Sequence, residues 1–440
     1  MGDARKAALS ALEKCRRAQA WSDAVLGSVM DAAGLEGPDR GLCTALCYGV
    51  LQNRSWLDYA VAQASSLPLQ RIEPKVLDIL RLSLYQLFFL KRVPPYAAVN
   101  EGVSLCRAAK LPRAAGFVNA VLRKCAAMER MPEPGPETAL PERLSILYSH
   151  PRWLVELLSE RLGPEEAEAF LRADNAVPPL ALQTNTLRIS PPELAKELSA
   201  EGVETELSRS CPETLFARNT GDLRRTAAFQ NGKFYVQDPA AHFAVLAAAP
   251  QTGERILDLC AAPGGKSFAA AIAAEGGAEL TACDLHENKL KRVREGAARL
   301  GVSLETLAAD ARENRPDWNA QFDLVIADVP CSGLGVIRKK PDIRWKDPAE
   351  CNGLPAIQRA ILDNAARYVR PGGRLLYATC TIRAEENELV AGAFLDVHTE
   401  FGPLDFRSPW GDASERGMLQ LWPQRQGTDG FFISLMRRTK

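Results

Sequence analysis

The chain has 440 residues, of which 46% are apolar and 25% are charged, and its 54 basic residues equal its 54 acidic residues in number. At ~100–200 residues per domain this length predicts two to four domains, and the balanced charge does not indicate a partner. The eleven cysteines include no C-x-x-C pair and the four histidines are dispersed, which excludes the usual zinc spacings and a disulfide framework.

Residues 1–130 show a helical period throughout. Apolar side chains recur three and four positions apart, as at Leu42, Leu46 and Val50, and this spacing predicts amphipathic helices. A breaker at 93–95 is followed by two further helical segments, at 97–110 and 113–129. Because no strand-like alternation is present, we predict an independent all-α bundle over residues 1–130.

The next segments predict a linker and a small mixed module. The proline-rich residues 131–149 form the clearest linker in the chain. Beyond it, one helix begins near His150 and another near Gly163. A strand at 180–187, a helix at 191–200 and short strands at 203–207 and 232–236 follow. We therefore predict a small α/β module over residues 150–238.

Residues 239–440 alternate between strands and helices. The predicted strands are 255–259, 279–284, 304–308, 322–327 and 374–377, with an antiparallel edge at 419–422 and 431–436. The first five are almost continuously apolar, as expected for parallel strands that are covered by helices on both faces. The pattern predicts an α/β Rossmann-like domain with a mostly parallel seven-stranded sheet.

A glycine-containing turn follows the first of these strands. Gly264 and Gly265 allow the backbone to approach a ligand closely, and the helix after them offers unpaired N–H groups. Asp284 ends the next strand, where its carboxylate could bind the ribose of a nucleoside cofactor, and Asp310 could face an adenine amino group. A glycine turn alone would also fit a packing turn, but the acidic strand ends favour a nucleoside site. The sequence A-P-G-G-K differs from the G-x-G-x-x-G of dinucleotide dehydrogenases.

Two cysteines follow neighbouring predicted strands. Cys331 ends the run Asp328-Val329-Pro330-Cys331, and Cys380 follows strand 374–377. A lone cysteine is usually a small buried hydrophobe, and we assign that role to the other nine. Two cysteines at adjacent strand ends instead favour covalent catalysis, in which a thiolate attacks and a second group assists release.

The chain carries no targeting or membrane signal. The N-terminus is charged and helical, and the longest apolar run, 243–249, is far too short to span a bilayer. Free thiols are typical of a reducing compartment. We therefore expect a cytoplasmic protein with no membrane segment and no metal site.

From about residue 150 to the C-terminus, the chain resembles the RNA 5-cytosine methyltransferase family, the Nol1/Nop2/Sun group. The matching motifs are 258–266, Asp284, Asp310, 322–333 and 378–381. Residues 1–130 resemble the NusB-type RNA-binding bundle. The fusion of the two is typical of bacterial members of the family that act on small-subunit ribosomal RNA.

The resemblance implies transfer of a methyl group from S-adenosyl-L-methionine to C5 of a cytosine. In the family the cysteine of the T-C motif, here Cys380, is the nucleophile that adds to C6, and the P-C cysteine, here Cys331, assists release. Asp328 would bind the flipped-out base, and Lys266 would lie near the base or the cofactor carboxylate. The implied cofactor-binding residues are Cys260, Ala261, Ala262, Pro263, Gly264, Gly265, Lys266, Asp284, Asp310 and Asp328.

Two basic segments favour a phosphate-binding track beside such a site. Residues 91–130 contain eight basic and two acidic residues, and residues 336–346 contain five basic residues and one acidic residue. Such runs are usually solvated faces. We predict that Arg338, Lys339, Lys340 and Arg344 bind RNA, and that the module 150–238 helps to position it.

The implied substrate is 16S ribosomal RNA, free or at an early stage of assembly, and we expect a monomer. Two alternatives stay open at this point. One is the same chemistry on transfer RNA, and the other is a non-catalytic RNA-binding or antitermination factor. The presence of Gly264, Lys266, Asp328, Cys331 and Cys380 argues against a decayed catalytic half.

Overall fold

The helical period of the N-terminal segment forms a bundle that belongs to the first of two compact units. The computed structural model describes residues 3–18, 22–218 and 220–440. Unit 1 comprises Met1–Ala176 and Ile337–Lys346, and unit 2 comprises Val177–Val336 and Asp347–Lys440. Among the helices of these described residues, none is both long enough and apolar enough to cross a lipid bilayer.

Unit 1 is helical, which confirms the predicted all-α bundle. Apolar side chains at the predicted spacing, such as Leu46, Val50, Leu80 and Leu84, are buried in one shared core. The helices are α1 (Ala4–Ala18), α2 (Ser22–Ala32), α3 (Gly37–Gln52), α4 (Arg54–Ala64), α5 (Pro74–Phe89), α6 (Pro95–Ala108), α7 (Ala115–Ala126), α8 (Leu140–Leu147), α9 (Arg152–Leu162) and α10 (Pro164–Asp174), with a 3-10 helix at Pro341–Trp345.

The proline-rich segment after α7 packs on the bundle. Met131 is buried in the core of unit 1, and the indole Nε1 of Trp56 donates a hydrogen bond to the carbonyl of Pro132 at 2.8 Å. The division between the units follows Ala176, inside the stretch 150–238 that the sequence assigned to one module. The predicted domain limits therefore stay a proposal.

The basic segment Ile337–Lys346 is built into unit 1, and Arg344 is fully buried there. Its Nη1 donates to Oδ1 of Asn175 at 2.8 Å and to the carbonyl of Ser149 at 3.1 Å. Burial lowers the pKa of Arg344 to about 10. Its side chain therefore presents no surface to RNA in this structure, which argues against the predicted RNA contact at Arg344. Arg338 is also buried, which leaves the exposed Lys340 and its half-buried neighbour Lys339 as predicted RNA contacts.

Unit 2 begins with a four-stranded antiparallel sheet of order β2-β3-β1-β4. Its first helix starts with a capping box, in which Glu193 accepts a hydrogen bond from the backbone N–H of Ser190 at 3.1 Å. This sheet has one strand more than predicted, β3. The elements are β1 (Leu180–Thr184), α11 (Pro191–Ala200), β2 (Glu204–Leu207), β3 (Thr214–Arg218), α12 (Ala227–Gln230), β4 (Phe234–Val236) and α13 (Pro239–Ala247).

The second sheet of unit 2 has eight strands in the order β10-β12-β9-β8-β5-β6-β7, with β11 paired to β12. The five strands from β9 to β7 are parallel and the others are antiparallel. The elements are β5 (Arg255–Asp258), α14 (Gly265–Ala273), β6 (Glu279–Asp284), α15 (Glu287–Leu300), β7 (Glu305–Ala308), β8 (Phe322–Asp328), α16 (Leu354–Tyr368), β9 (Val369–Thr379), α17 (Glu388–Val397), β10 (Phe401–Pro403), β11 (Met418–Leu421), α18 (Pro423–Gln426) and β12 (Phe431–Arg438).

Consecutive residues of the parallel strands pack into cores on opposite faces of this sheet. Ile256 joins a cluster with residues of α13, α14 and α15, whereas Leu257 joins a cluster with residues of α16 and α17. Because side chains alternate along a strand, both faces are covered by helices. The Rossmann-like prediction is confirmed, with one extra edge strand, β10.

Candidate active site

The loop between β5 and α14 is a tight turn that only glycine can complete. Gly264 has φ +113°, and a Cβ there would lie 2.4 Å from the ring of Phe268. The N–H of Gly264 donates to the carbonyl of Ala261 at 2.7 Å, and the N–H of Ala261 donates to the carbonyl of Cys283 at 2.7 Å. The turn therefore anchors the start of α14 to β6 and leaves the N-terminal N–H groups of α14 at the strand ends.

A cavity of about 400 Å³ lies at the carboxyl ends of the parallel strands. This volume is typical of a small-molecule site. Of the predicted cofactor-binding residues, Cys260, Ala262, Asp284, Asp310 and Asp328 line it. The other lining residues are Leu259, Leu285, His286, Lys289, Ala311, Arg312, Pro330, Ile357 and Ile361. The sequence missed Ile357 and Ile361, because they come from α16, which no motif marks.

The two acidic residues beyond the turn differ in their surroundings. Asp284 is buried, and its Oδ1 accepts a hydrogen bond from the N–H of His286 at 3.0 Å. Asp310 is held by Arg312, whose Nε and Nη2 donate to its carboxylate at 2.9 and 2.5 Å. These hydrogen bonds lower the pKa of Asp310. Each of these two strand ends therefore brings a carboxylate acceptor to the cavity. The carboxylate of Asp310 already accepts hydrogen bonds from Arg312.

Lys266 lies beside the cavity and pairs with Asp328. Its Nζ donates to Oδ2 of Asp328 at 2.5 Å and lies 5.0 Å from the ring centroid of Phe431. Burial by itself lowers the pKa of Lys266, but the Asp328 carboxylate more than offsets this effect, so the net shift is upward. The lysine is therefore charged, and the carboxylate of Asp328 is oriented by it.

Asp258, at the end of β5, is a second carboxyl beneath the turn. It is fully buried, and its Oδ2 accepts a hydrogen bond from the hydroxyl of Ser267 at 2.7 Å. Burial raises the pKa of Asp258 to about 7. This carboxyl therefore titrates near neutral pH.

The two cysteines singled out in the sequence meet at the ends of adjacent strands. Asp328 in β8 is in register with Ala378 in β9, and the sulfur atoms of Cys331 and Cys380 are 3.2 Å apart. Both side chains are half-buried free thiols. The hydrogen bond with Cys380, and then burial, raise the pKa of Cys331 well above its usual value. Cys331 is therefore a thiol at neutral pH that can donate its proton toward the sulfur of Cys380.

A close backbone approach fixes the loop that carries Cys380. The N–H of Gly335 donates to the carbonyl of Cys380 at 2.9 Å, and the N–H of Gly430 donates to the carbonyl of Gly335 at 2.8 Å. A Cβ on Gly335 would lie 1.8 Å from the carbonyl oxygen of Gly430. Only glycine therefore allows the segment after Cys331 to bind the backbone of Cys380 directly.

Comparison with protein families supports the assignment suggested by these features. A family model described as 16S rRNA methyltransferase RsmB/F matches residues 245–437, and a NusB family model matches residues 2–127. A third model, for an RsmF/B-like methyltransferase ferredoxin-like domain, matches residues 150–223. The three matches follow one another along the chain, as the sequence resemblance predicted.

The similarity to known proteins covers nearly the whole chain. The probable ribosomal RNA small subunit methyltransferase B of Bacillus subtilis is 38% identical, over 99% of this chain and 98% of the relative. The ribosomal RNA small subunit methyltransferase B of Vibrio cholerae is 35% identical, over 91% and 90%. The crystal structure of PH0851 is similar with a TM-score of 0.81 and 28% identity, over 98% of each chain. The chain therefore belongs to the 16S rRNA methyltransferase RsmB/F family.

Proposed function

We propose that this protein transfers the methyl group of S-adenosylmethionine to C5 of a cytosine in 16S ribosomal RNA, free or at an early stage of assembly. The observation that carries the proposal is the pair of thiols 3.2 Å apart beside a cofactor-sized cavity. Asp328 and Pro330, which line that cavity, lie within the three residues before Cys331. The methyl donor and the reactive thiols would thus share one strand end.

The cavity residues fit S-adenosylmethionine. The buried carboxylate of Asp284 is suited to accept hydrogen bonds from the ribose hydroxyls, as at the second strand of other nucleoside sites. Ile357 and Ile361 provide an apolar wall for the adenine, and Asp310 provides an acceptor for its amino group. When bound, the cofactor supplies an electrophilic methyl group.

Cys380 is the nucleophile in this proposal. Its thiolate forms a bond to C6 of the cytosine, and the electron pair of the C5–C6 double bond moves toward C5, which becomes able to attack the methyl group. Asp328, oriented by Lys266, would accept a hydrogen bond from the exocyclic amine of the flipped-out base.

The electrostatics of the thiol pair suit the second step. Before the reaction, the hydrogen bond with Cys380 and burial raise the pKa of Cys331. Once the Cys380 sulfur is bonded to carbon it is a thioether, which accepts a hydrogen bond only weakly, so Cys331 releases its proton to solvent more easily. The Cys331 thiolate can then take the C5 proton, the C5–C6 double bond re-forms, and Cys380 leaves as a thiolate.

Single cysteine variants test the proposal with unstructured 16S RNA and S-adenosylmethionine. Cys331→Ala should accumulate a covalent protein–RNA complex on a denaturing gel, because attack proceeds and release fails. Cys380→Ala and the double variant should give no complex. Cys211→Ala, at a buried thiol in the loop between β2 and β3, should behave as the unmodified protein. A complex formed by Cys380→Ala and not by Cys331→Ala would reverse the roles. Methylation of transfer RNA instead of 16S RNA would contradict the substrate.

A further inference from the structure

A fully buried carboxylate lies behind the thiol pair. Glu386 closes the 3-10 helix Ala384–Glu386, six residues after Cys380, and has no exposed surface. Its Oε2 accepts hydrogen bonds from the N–H of Ser332 at 2.9 Å and from Nε2 of Gln358 at 3.0 Å. The carboxylate therefore binds the peptide group that directly follows Cys331.

The same cluster holds the peptide group that precedes Cys331. Nε2 of Gln358, which is also fully buried, donates to the carbonyl of Pro330 at 3.0 Å. Glu386 and Gln358 together thus fix the backbone on both sides of Cys331. Since a backbone held at two flanking peptide groups cannot rotate freely, the direction of the Cα–Cβ bond of Cys331 is fixed, and its sulfur can move only among the staggered χ1 rotamers.

Glu386 is also tied to the strand that carries Cys380. The hydroxyl of Tyr377, in β9, donates to the carbonyl of Glu386 at 2.5 Å. The hydroxyls of Ser332 and Thr381, the residues that follow the two cysteines, are 2.6 Å apart. The cluster therefore sets the position of one cysteine segment relative to the other.

Burying this carboxylate is costly unless its hydrogen bonds repay the loss of water. Nε of Arg383 is 3.8 Å from Oε1, which is within ion-pair distance but beyond hydrogen-bond distance. The hydrogen bonds that offset the burial of the carboxylate thus come from Ser332 and Gln358. A neutral apolar side chain would fill the same space without this cost, which points to a requirement for the acceptor itself.

We propose that Glu386 is a positioning residue that, with Gln358, fixes Cys331 against Cys380 for the step in which Cys331 acts. The proposal rests on the proposed function for the identity of that step. The contact between Glu386 and the peptide groups of Cys331 is independent of the proposed function. Variants of Glu386 should therefore block the reaction at whichever step Cys331→Ala blocks it.

The test compares Glu386→Ala, Glu386→Gln and Gln358→Met with Cys331→Ala in the full-length protein. Loss of a charge-assisted hydrogen bond predicts about a 10- to 100-fold lower kcat for Glu386→Ala, with unchanged KM for RNA and unchanged S-adenosylmethionine affinity. The covalent complex should accumulate as it does in Cys331→Ala. Glu386→Gln keeps a neutral acceptor and should restore most of the activity.

Gln358→Met provides a second test of the same cluster if Glu386→Ala fails to fold. It preserves the side-chain volume and the bond from Ser332 to Glu386 but removes the donor to Pro330 and to Glu386, so it should show the same block in milder form. Turnover at the normal rate in Glu386→Ala, or failure of Glu386→Gln to restore it, would overturn the inference. If Cys331→Ala forms no complex, the proposed function fails, and the inference is then decided by whether Glu386→Ala reproduces the kcat and KM of Cys331→Ala.

Discussion

Replacing Arg344 by methionine separates an architectural role from an RNA-binding role. Methionine approximates the length of the arginine stem and is apolar, so the change removes the guanidinium and keeps most of the packing of the stem. In the structure that guanidinium binds Asn175 Oδ1 at 2.8 Å and the Ser149 carbonyl at 3.1 Å. Its Nη2 is also 4.0 Å from the buried carboxylate of Asp174.

The expected loss of stability is large. Two hydrogen bonds from a charged donor contribute about 1.5–3 kcal/mol each, and removing one partner of a buried ion pair costs about 3–5 kcal/mol. These effects overlap, the methionine recovers some apolar packing, and the variant also removes two buried nitrogen atoms of Arg344, Nε and Nη2, that have no hydrogen-bond partner. We therefore expect a net loss of about 3 kcal/mol, at the lower end of this range. For a unit of about this size, 1 kcal/mol shifts the melting temperature by about 2–4 °C, so unit 1 should melt about 6–12 °C lower.

Thermal melting and RNA binding as a function of salt distinguish the two roles, with Lys340→Met as the matched control. Lys340 lies in the same segment and is exposed, so its loss should lower melting far less than the loss of the buried Arg344. If it contacts a phosphate, it should reduce the slope of log affinity against log salt by about 0.7–0.9. Arg344→Met should lower the melting temperature and keep the slope of any protein that remains folded. Unchanged melting with a flattened slope in Arg344→Met would refute the architectural role.

Two further predictions concern the acids at the strand ends. Asp284→Ala should weaken S-adenosylmethionine binding by about 1–3 kcal/mol in calorimetry, because the ribose hydroxyls lose a buried acceptor, and normal affinity would place the cofactor elsewhere. Burial raises the pKa of Asp258 to about 7, above the value near 4 expected when unfolded, so its contribution to stability falls as pH rises from about 4 to 7. Asp258→Asn should flatten this decline in urea denaturation, and an unchanged pH dependence would contradict the buried, proton-binding carboxyl.

Local signals allowed most of the fold to be predicted. The helix Pro191–Ala200 and the strand Glu279–Asp284 have the predicted bounds, since a capping box and a continuous apolar run each act within a few residues. The strand Val369–Thr379 is longer than predicted because it contains Pro-Gly-Gly at 371–373, which reads as a turn in the sequence. The pairing with β8 is irregular at this point, as in a bulge.

Some residues of the candidate site could likewise be predicted from local sequence signals, and others could not. The acidic and cysteine positions follow strand ends, so their convergence at one sheet edge could be predicted from parallel pairing. Arg344 and Glu386 could not, because charged residues are mostly exposed and their acceptors and donors come from distant segments. Asn175 precedes Arg344 by 169 positions, and Ser332 precedes Glu386 by 54. No local pattern encodes such a partner.

The division of unit 1 into two chain segments has a consequence for synthesis on the ribosome. Residues up to Ala176 emerge first, while Ile337–Lys346, which belong to the same unit, emerge only after the 160 intervening residues. At about 5–20 residues per second this delay is roughly ten to thirty seconds. During that interval the carbonyl of Ser149, the amide of Asn175 and the carboxylate of Asp174 have no arginine to bind. The helical unit can therefore form these buried hydrogen bonds only after the ribosome has made a segment that lies between Cys331 and Cys380 in the chain.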